Sequence, residues 1–483
     1  MADTTYPTTA PAPAAPNGTT AWTAARRLAL RFAFSYFTLY NLSAVLGIVV
    51  SFVISVASVV ALPFAPTYDA QVKELGELIA APLEACAQFW QWAIPWVGKH
   101  VLRLPNDITI FPNGSGDTTY NYVELLVFAS VAIVVTALCS ALAAFVAPSD
   151  RRSRRLHDLL RIELRYVLAF TMLGYGFAKV FKTQFPFPSV DQLLTPYGES
   201  SPMGLLWRFM GYSTAYTVFT GVAECLGGVL LFWRRTTTLG ALVVAGVMVN
   251  VVMLNFCYDV PVKLYSSHLL AMALVLVLPE SGRLLRVFVL NRPVEPADLR
   301  PFPGPRWWSV LRFTAKHAVV FVMLATVAYG GYTNWARYGD DAPRPALFGL
   351  YEVQGFSRNG EDAPPLLTDA RRWRRVVVDR YGGISFHAMD GARERFEVSV
   401  DESKHTLTLT PSNRGAPASG AAADAGKDEP IVFAYGKPAD DQLVLEGTLH
   451  GERLDVKLKR VEPSTLLLVN RGFRWVNEYP FNR

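Results

Sequence analysis

The sequence has few of the residues that build redox and metal centres. It has four cysteines and seven histidines among 483 residues, and the cysteines form no C-x-x-C pair. A dithiol relay, a zinc knuckle and a histidine-built metal site are therefore not predicted. Flavin, haem and iron–sulfur motifs are also missing, so the residues alone make no cofactor evident and predict no metal.

A cleavable signal peptide and a nucleic-acid-binding face are not predicted either. The first twenty residues, MADTTYPTTAPAPAAPNGTT, lack an apolar core. We expect residues 1–25 to be a disordered cytoplasmic amino terminus. The net charge of +6 comes largely from arginines spread between apolar runs rather than clustered on a folded domain, which excludes nucleic acid as a predicted partner.

Long apolar runs occupy most of the chain before residue 331. A membrane core of about 30 Å needs about 20 apolar residues to be crossed by a helix. These runs predict an all-α polytopic membrane bundle with the lipid bilayer as its partner. The seven predicted spans are 30–62, 121–147, 161–183, 212–233, 238–257, 263–279 and 313–331.

Basic residues fix the predicted orientation, because they stay on the cytoplasmic side during insertion. They are concentrated before span one and between spans two and three, four and five, and six and seven. We therefore expect a multi-pass protein of the bacterial inner (cytoplasmic) membrane. Its amino terminus would be cytoplasmic and its long carboxyl-terminal segment periplasmic.

The runs and loops divide the chain into predicted regions. Residues 26–159 should hold two additional transmembrane helices with an extracytoplasmic interfacial loop, and residues 160–290 a four-helix core. Residues 291–335 should form a cytoplasmic loop and the seventh span, and residues 345–483 an extracytoplasmic β domain.

Alternating apolar and polar residues predict the β domain. RFEVSV, HTLTLT, QLVLEGTL and RLDVKLK have the period of half-buried strands, and HGE is a hairpin signal. Eight or nine short strands fit a closed barrel or a sandwich, and we favour a lipocalin-like barrel. The closing RGFRWVNEYPFNR has so many aromatic residues that we expect it to pack on the barrel or on the mouth of the bundle.

Polar residues inside the spans are candidates for function, because charges in a bilayer are costly. In span four, Thr217, Gly221, Glu224 and Gly228 share one helical face. In span three, Arg165 and Lys179 share another face. Lys179 could reach Glu224 or extend to the membrane surface, and the sequence leaves these alternatives open.

A second polar group lies in NFCYDVPVKLYSSH, between spans five and six. We expect Pro261 at the first position of the sixth helix and Asp259 as its cap. One interpretation places Asp259, Lys263 and His268 with Glu224 and Lys179 around an outward-facing pocket. The equally weighted alternative is a capping turn, an extended Lys263 side chain and a hydrogen-bonded core histidine.

Residues 160–290 carry short motifs in a fixed order. LR is followed by G-x-x-K (Arg165, Gly176, Lys179), then by G-x-x-E-x-x-G-G (from Gly221 through Glu224) and by RRTTTLGAL. In these motifs the chain resembles the DoxX/DoxD-like family of bacterial four-helix membrane proteins, which includes the membrane part of thiosulfate:quinone oxidoreductase. The additional helices and the β domain depart from its short members.

The resemblance implies a quinone- or lipid-interacting component of a membrane oxidoreductase system, with a membrane quinone as ligand and redox partner subunits as electron donors. The hypothesis assigns catalytic roles to Glu224, Lys179 and His268. The predicted substrate-binding residues are Lys263, Asp259, Asn255, Asp117 and Arg165. The alternatives are a non-catalytic lipid-binding or envelope-assembly adaptor protein, and charges that only set helix register.

Overall fold

A computed structural model of the chain describes residues 22–61, 69–110, 114–144, 150–296, 305–340, 342–380, 382–411 and 430–482. Most of the segment 1–25, predicted to be disordered, lies outside this part, and a helix already begins at Ala24. The chain divides into two units. The helical unit is Met1–Tyr175 with Ala223–Val327, and the barrel unit is Gly176–Val222 with Ala328–Arg483.

The helices follow the apolar runs of the sequence. They are α1 (Ala24–Ala61), α2 (Asp69–His100), α3 (Thr119–Ala144), α4 (Asp150–Val180), α5 (Val190–Leu193), α6 (Pro202–Tyr212), α7 (Thr214–Leu231), α8 (Thr237–Cys257), α9 (Lys263–Val277), α10 (Ser281–Phe288) and α11 (Arg306–Tyr338), with α12 (Leu467–Asn470) near the carboxyl end. α2 continues through Pro82 and Pro95, in the region predicted to be an interfacial loop.

Within the described residues, six stretches of helix are long and apolar enough to cross a membrane. They lie in α1, α3, α7, α8, the α9–α10 segment and α11. The predicted third span lies in α4, where Glu163, Arg165 and Lys179 interrupt the apolar sequence. The helices indicate a multi-pass membrane protein, and the described part of the chain has six such stretches where the sequence predicted seven spans.

Polar contacts join the first helices of the helical unit. Arg31 of α1 donates to Ser140 of α3 over 2.7 Å. Glu163 of α4 accepts hydrogen bonds from Thr38 (2.7 Å) and Asn41 (3.1 Å) of α1. Because these groups satisfy one another, α1 can bury polar side chains against its neighbours.

The barrel unit contains a closed antiparallel sheet. Its strands are β1 (Gly349–Arg358), β2 (Glu361–Asp362), β3 (Trp373–Val378), β4 (Gly383–Ala388), β5 (Arg393–Asp401), β6 (Thr406–Pro411), β7 (Ile431–Gly436), β8 (Gln442–Leu449) and β9 (Glu452–Val461). β2 extends the β1 hairpin only. Consecutive strands pair from β3 to β9, and β1 pairs with both β3 and β9, which closes an eight-stranded barrel.

Side chains fill the interior of this barrel. Trp373 stacks on Phe386 with ring centroids 4.0 Å apart, and Phe356 and Phe433 pack beside them. Gly447 makes room for Phe433, since a Cβ atom there would lie 2.5 Å from the ring. The predicted closed barrel is thus confirmed, and its interior is a packed core.

The β8–β9 turn confirms the hairpin predicted from HGE. Leu449 pairs with Glu452 across the two-residue turn His450–Gly451. Both turn residues have positive φ, at 51° and 79°. This is the backbone of a type I′ turn, whose twist matches that of the two strands.

The closing aromatic segment differs from its prediction. Trp475 is 91% exposed, and Phe473, Val476 and Tyr479 are also exposed. The expected packing of this segment was therefore wrong. The buried residues of the barrel core come from its strands and Leu347, so this core is complete without the closing segment.

Candidate functional site

Asp117 ties the loop before α3 to the start of α9. Its carboxylate accepts hydrogen bonds from the backbone N–H groups of Lys263 (2.8 Å) and Leu264 (2.9 Å). Gly116 N–H donates to the Pro261 carbonyl over 2.8 Å. Free N–H groups and the helix dipole favour a carboxylate at a helix amino terminus. Asp117, whose side chain is 8% exposed, is therefore the cap of α9.

This arrangement corrects the predicted cap. Asp259 lies in the preceding turn with φ of +51°, and α9 begins at Lys263, two residues after Pro261. The carboxylate of Asp259 instead pairs with Lys263 Nζ over 2.9 Å and is 83% exposed. The same Nζ lies 3.7 Å from Asp117 Oδ2. The structure thus brings Asp117, Asp259 and Lys263 together.

Asn255 and Ser266 form a buried pair one turn deeper. Asn255 Nδ2 donates to Ser266 Oγ over 2.9 Å, and Ser266 Oγ donates to the Lys263 carbonyl over 3.1 Å. These bonds hold the end of α8 against α9. Asn255 therefore serves the contact between α8 and α9.

His268 lies in an aromatic group with two tyrosines of α1. Its Nε2 is 2.6 Å from the Tyr36 hydroxyl, and its Nδ1 is 2.7 Å from the Leu264 carbonyl. Because a carbonyl only accepts, the neutral ring carries its proton on Nδ1 and Tyr36 donates to Nε2. The ring stacks on Tyr40 at 4.2 Å. Both nitrogens of His268 are thus hydrogen-bonded.

Glu224 and Lys179 are buried in helices that approach closely. Glu224 in α7 is 3% exposed, and Lys179 in the last turn of α4 is 7% exposed. A Cβ atom on Gly221 would lie 2.6 Å from the Gly176 carbonyl oxygen, and one on Gly228 would lie 2.8 Å from the Ala169 carbonyl oxygen. The small-residue face of α7 therefore packs on α4. Lys179 belongs to the barrel unit and Glu224 to the helical unit.

Arg165 lies at the far end of the helical unit from the group around Lys263. Its guanidinium donates to the carbonyls of Leu231 (2.9 and 3.0 Å) and Phe232 (3.0 Å), at the end of α7. The same region contains Thr237, the first residue of α8. At about 1.5 Å per residue, Asn255 lies roughly 27 Å further along that helix. Arg165 is therefore not part of a common site with Asn255 and Lys263.

Two polar clusters of the barrel unit were missed by sequence reasoning. Asp191 of α5 contacts His387 and Arg395 of the barrel. Asp340 accepts from Lys182 Nζ at 2.8 Å and from the Phe187 N–H at 3.0 Å. The only local signal was the capping box Ser-x-x-Gln that starts α5. The partners are more than 150 residues apart in the chain, so spacing could not reveal them.

Among the described residues, no three or more His, Cys, Asp or Glu side chains gather in a group that could hold a metal ion. The polar groups of the candidate site are hydroxyls, amides, imidazole and paired charges. Such groups can bind carbonyl oxygens or anions and can move protons.

Together, the helices and the barrel define a multi-pass helical membrane protein with a carboxyl-terminal eight-stranded antiparallel β-barrel. The chain is 35% identical over 139 residues to the uncharacterized protein YwoB of Bacillus subtilis (strain 168). The alignment covers 28% of this chain and 84% of YwoB. The chain therefore belongs to the same family as YwoB. No family model and no solved structure matches it.

Proposed function

We propose that the chain is a DoxX-like protein of the bacterial inner membrane that interacts with quinone as a component of an oxidoreductase system. The observation that carries this proposal is the group formed by His268, Tyr36 and Tyr40. All three side chains are half-buried on helices α1 and α9. They offer a flat aromatic surface beside a hydroxyl, which are the features that a quinone ring and its carbonyl oxygen require.

The hydrogen bonds of His268 suggest how a proton would be used. In the neutral ring, the Tyr36 hydroxyl donates its proton to Nε2, 2.6 Å away. When His268 is protonated, both nitrogens donate, so the Tyr36 oxygen becomes an acceptor. The Tyr36 proton is then free to point at a ligand oxygen. Protonation of His268 would in this way present a hydrogen-bond donor to the quinone.

Reduction of a quinone to a quinol takes up two electrons and two protons. His268 and Tyr36 would handle protons, while Glu224 and Lys179 keep their proposed catalytic roles in proton and anion chemistry. The electrons would come from a redox partner subunit or from a donor substrate. Asp117, Asp259, Asn255 and Lys263 would shape the outer end of the site, and Arg165 would anchor α7.

Substitutions of the two tyrosines test the site with the same chemical change. Tyr36→Phe should weaken binding of a short-chain ubiquinone or menaquinone analogue by about tenfold, as expected for the loss of a hydrogen bond of roughly 1.5 kcal/mol. Tyr40→Phe keeps its ring and is the matched control, with binding within about twofold of the original. Equal binding by both variants would contradict the proposal.

Turnover and retained molecules provide independent tests. Glu224→Gln should abolish quinone-linked turnover while the protein stays in the membrane, and unchanged turnover would refute the role of Glu224. Mass spectrometry of molecules retained by the gently purified protein should detect quinone. Retention of other lipids alone would favour the second candidate function.

The second candidate is a non-catalytic lipid-binding or envelope-assembly adaptor protein. The packed interior of the barrel favours it, because a partner of the barrel would have to bind the outer surface. This candidate predicts lipid retention without reactivity toward quinone analogues. Purified protein that holds no amphiphile would count against it.

The proposed orientation has the amino terminus in the cytoplasm and the barrel in the periplasm. Arginine placement supports it, since Arg234 and Arg235 and the arginines of 283–312 lie in loops on one side of the predicted topology. Alkaline phosphatase fused after the barrel should be active, because it folds only when exported. An inactive fusion with normal expression would reverse the orientation.

A further inference from the structure

The helical unit contains a large cavity that the proposed function does not use. Its volume is about 1170 Å³, above the roughly 300–1,000 Å³ typical of small-molecule sites. α4, α10 and α11 line it, together with the loop between α7 and α8. Arg165 and Thr237 are among its lining residues, so it lies at the end of α8 opposite Asn255.

Positive charge dominates the lining. Arg161 and Arg165 come from α4, Arg283 and Arg286 from α10, and Arg312 and Lys316 from α11. With the two arginines of the α7–α8 loop there are eight basic residues, against three acidic ones, so the formal charge of the lining is +5. A concentration of like charges in one cavity favours an anionic occupant.

Arg283 provides a second observation. Its Nη1 pairs with Glu280 Oε2 over 2.7 Å, but its Nε is buried and has no hydrogen-bond partner among the described residues. The Nε is enclosed by protein, but the Arg283 side chain as a whole is 42% exposed, so the accessible part of its guanidinium can donate to an anion in the cavity.

The lining is also apolar in part. Its apolar and aromatic lining residues include Tyr166, Leu239, Leu284 and Phe313. Phe288, at the end of α10, lines the cavity and is 77% exposed. An occupant with charged and hydrocarbon parts would match both kinds of lining.

We propose that this basic cavity binds a phosphate-bearing anion, specifically the headgroup of an anionic phospholipid with two phosphates. The cavity is large enough for two phosphates and the first part of the acyl chains. Basic pockets between membrane helices on the cytoplasmic side bind such headgroups by charge. The proposal does not depend on quinone binding, because none of the residues of the Tyr36–His268–Tyr40 group lines the cavity.

The test compares two sets of arginine substitutions in the full-length protein. The cavity variant carries Arg283→Gln, Arg286→Gln and Arg312→Gln. The control variant carries Arg151→Gln, Arg152→Gln and Arg154→Gln, which remove the same charge from exposed positions that do not line the cavity. Binding of cardiolipin is measured by native mass spectrometry and by titration into nanodiscs of phosphatidylcholine.

Each basic residue near an anionic lipid contributes about a factor of five to affinity, so the cavity variant should bind cardiolipin on the order of 100-fold more weakly. The control variant should bind within a few fold of the original protein. Equal weakening in both variants would show attraction to surface charge alone and overturn the proposal. Equal binding of cardiolipin and phosphatidylglycerol at the same phosphate concentration would also overturn the proposal.

Two further measurements use the unaltered protein and so do not depend on variant folding. Photoactivatable cardiolipin should crosslink to peptides of α10 and α11, and crosslinks confined to other helices would refute the site. Pyrophosphate is the soluble competitor. If pyrophosphate displaced cardiolipin at a concentration equal to that of cardiolipin, the cavity would be a phosphate site, and the proposal of a lipid occupant would be refuted.

Discussion

Asp191 should make the barrel unit sensitive to acid. Its Oδ1 lies 2.8 Å from His387 Nε2 and 3.3 Å from Ser385 Oγ, and Arg395 contacts its other oxygen. Burial alone would raise the pKa of Asp191. The hydrogen bond with His387 and the charges of Arg395 and His387 outweigh burial and lower the pKa from 3.8 to about 2.

A lowered carboxyl pKa stabilises the folded state above the unfolded-state pKa. The difference between 3.8 and about 2 corresponds to about 2 kcal/mol at neutral pH. This contribution is lost as the pH falls, because protons then bind the unfolded chain more tightly. We expect roughly 1 kcal/mol to remain at pH 3, and less than about 0.5 kcal/mol at pH 2.

The measurement is the free energy of unfolding of the barrel unit in the full-length protein, followed in urea by tryptophan fluorescence. Asp191→Asn keeps the size and an acceptor oxygen but cannot ionise. The difference in stability between the original protein and this variant cancels the titration of other carboxylates. It should be about 2 kcal/mol at pH 6 and nearly vanish at pH 2. A difference that stays constant between these pH values would refute the reasoning.

Four further substitutions test other contacts. Asp117→Ala should lower the free energy of unfolding by about 2 kcal/mol, because α9 loses its cap. Asp259→Ala removes an exposed ion pair and should lower it by less than about 1 kcal/mol. Thermal unfolding in detergent compares the two variants, and equal shifts would contradict the capping role of Asp117. Lys182→Met should destabilise the barrel unit by about 2 kcal/mol or more, because the Asp340 carboxylate loses its closest cation. Unfolding in urea measures the change, and an unchanged unfolding midpoint would contradict the role of this ion pair. Gly447→Val should lower the free energy of unfolding by about 1 to 3 kcal/mol, because the new side chain crowds the Phe433 ring. A stability equal to that of the original protein would show that the core rearranges to accept the larger side chain.

The fold could be predicted where the signal is local. Four alternating segments lie in strands apart from the first residue of one of them, His405: RFEVSV, HTLTLT, QLVLEGTL and RLDVKLK. Alternation at every second residue reports which face of a strand is buried. The apolar runs likewise located the long helices. α4 covers the predicted third span, but it is not among the six stretches apolar enough to cross a membrane, because it carries charged residues that contact other helices, as Glu163 does for α1.

The candidate site was less predictable, because its contacts join distant segments. Asp259 has suitable chemistry and spacing for a cap, but Asp117 occupies that position from 146 residues away. Asp191 and His387 are 196 residues apart, and the capping box around Asp191 does not indicate its partner. Arg165 shares a helical face with Lys179, but a shared face does not show which end of a neighbouring helix a side chain will meet.

The bond from Asp117 to α9 also bears on how the chain is made. Ribosomes add about 5 to 20 residues per second, so α9 emerges roughly 7 to 30 seconds after Asp117. α1 is complete before Asp117 is added, and α3 to α8 are synthesised during this interval, before α9 exists. The first helices therefore have to enter the bilayer before the hydrogen bonds between Asp117 and α9 can form. A nascent chain that stalls before Lys263 would leave residues 114–118 detached, as a target for quality-control proteases.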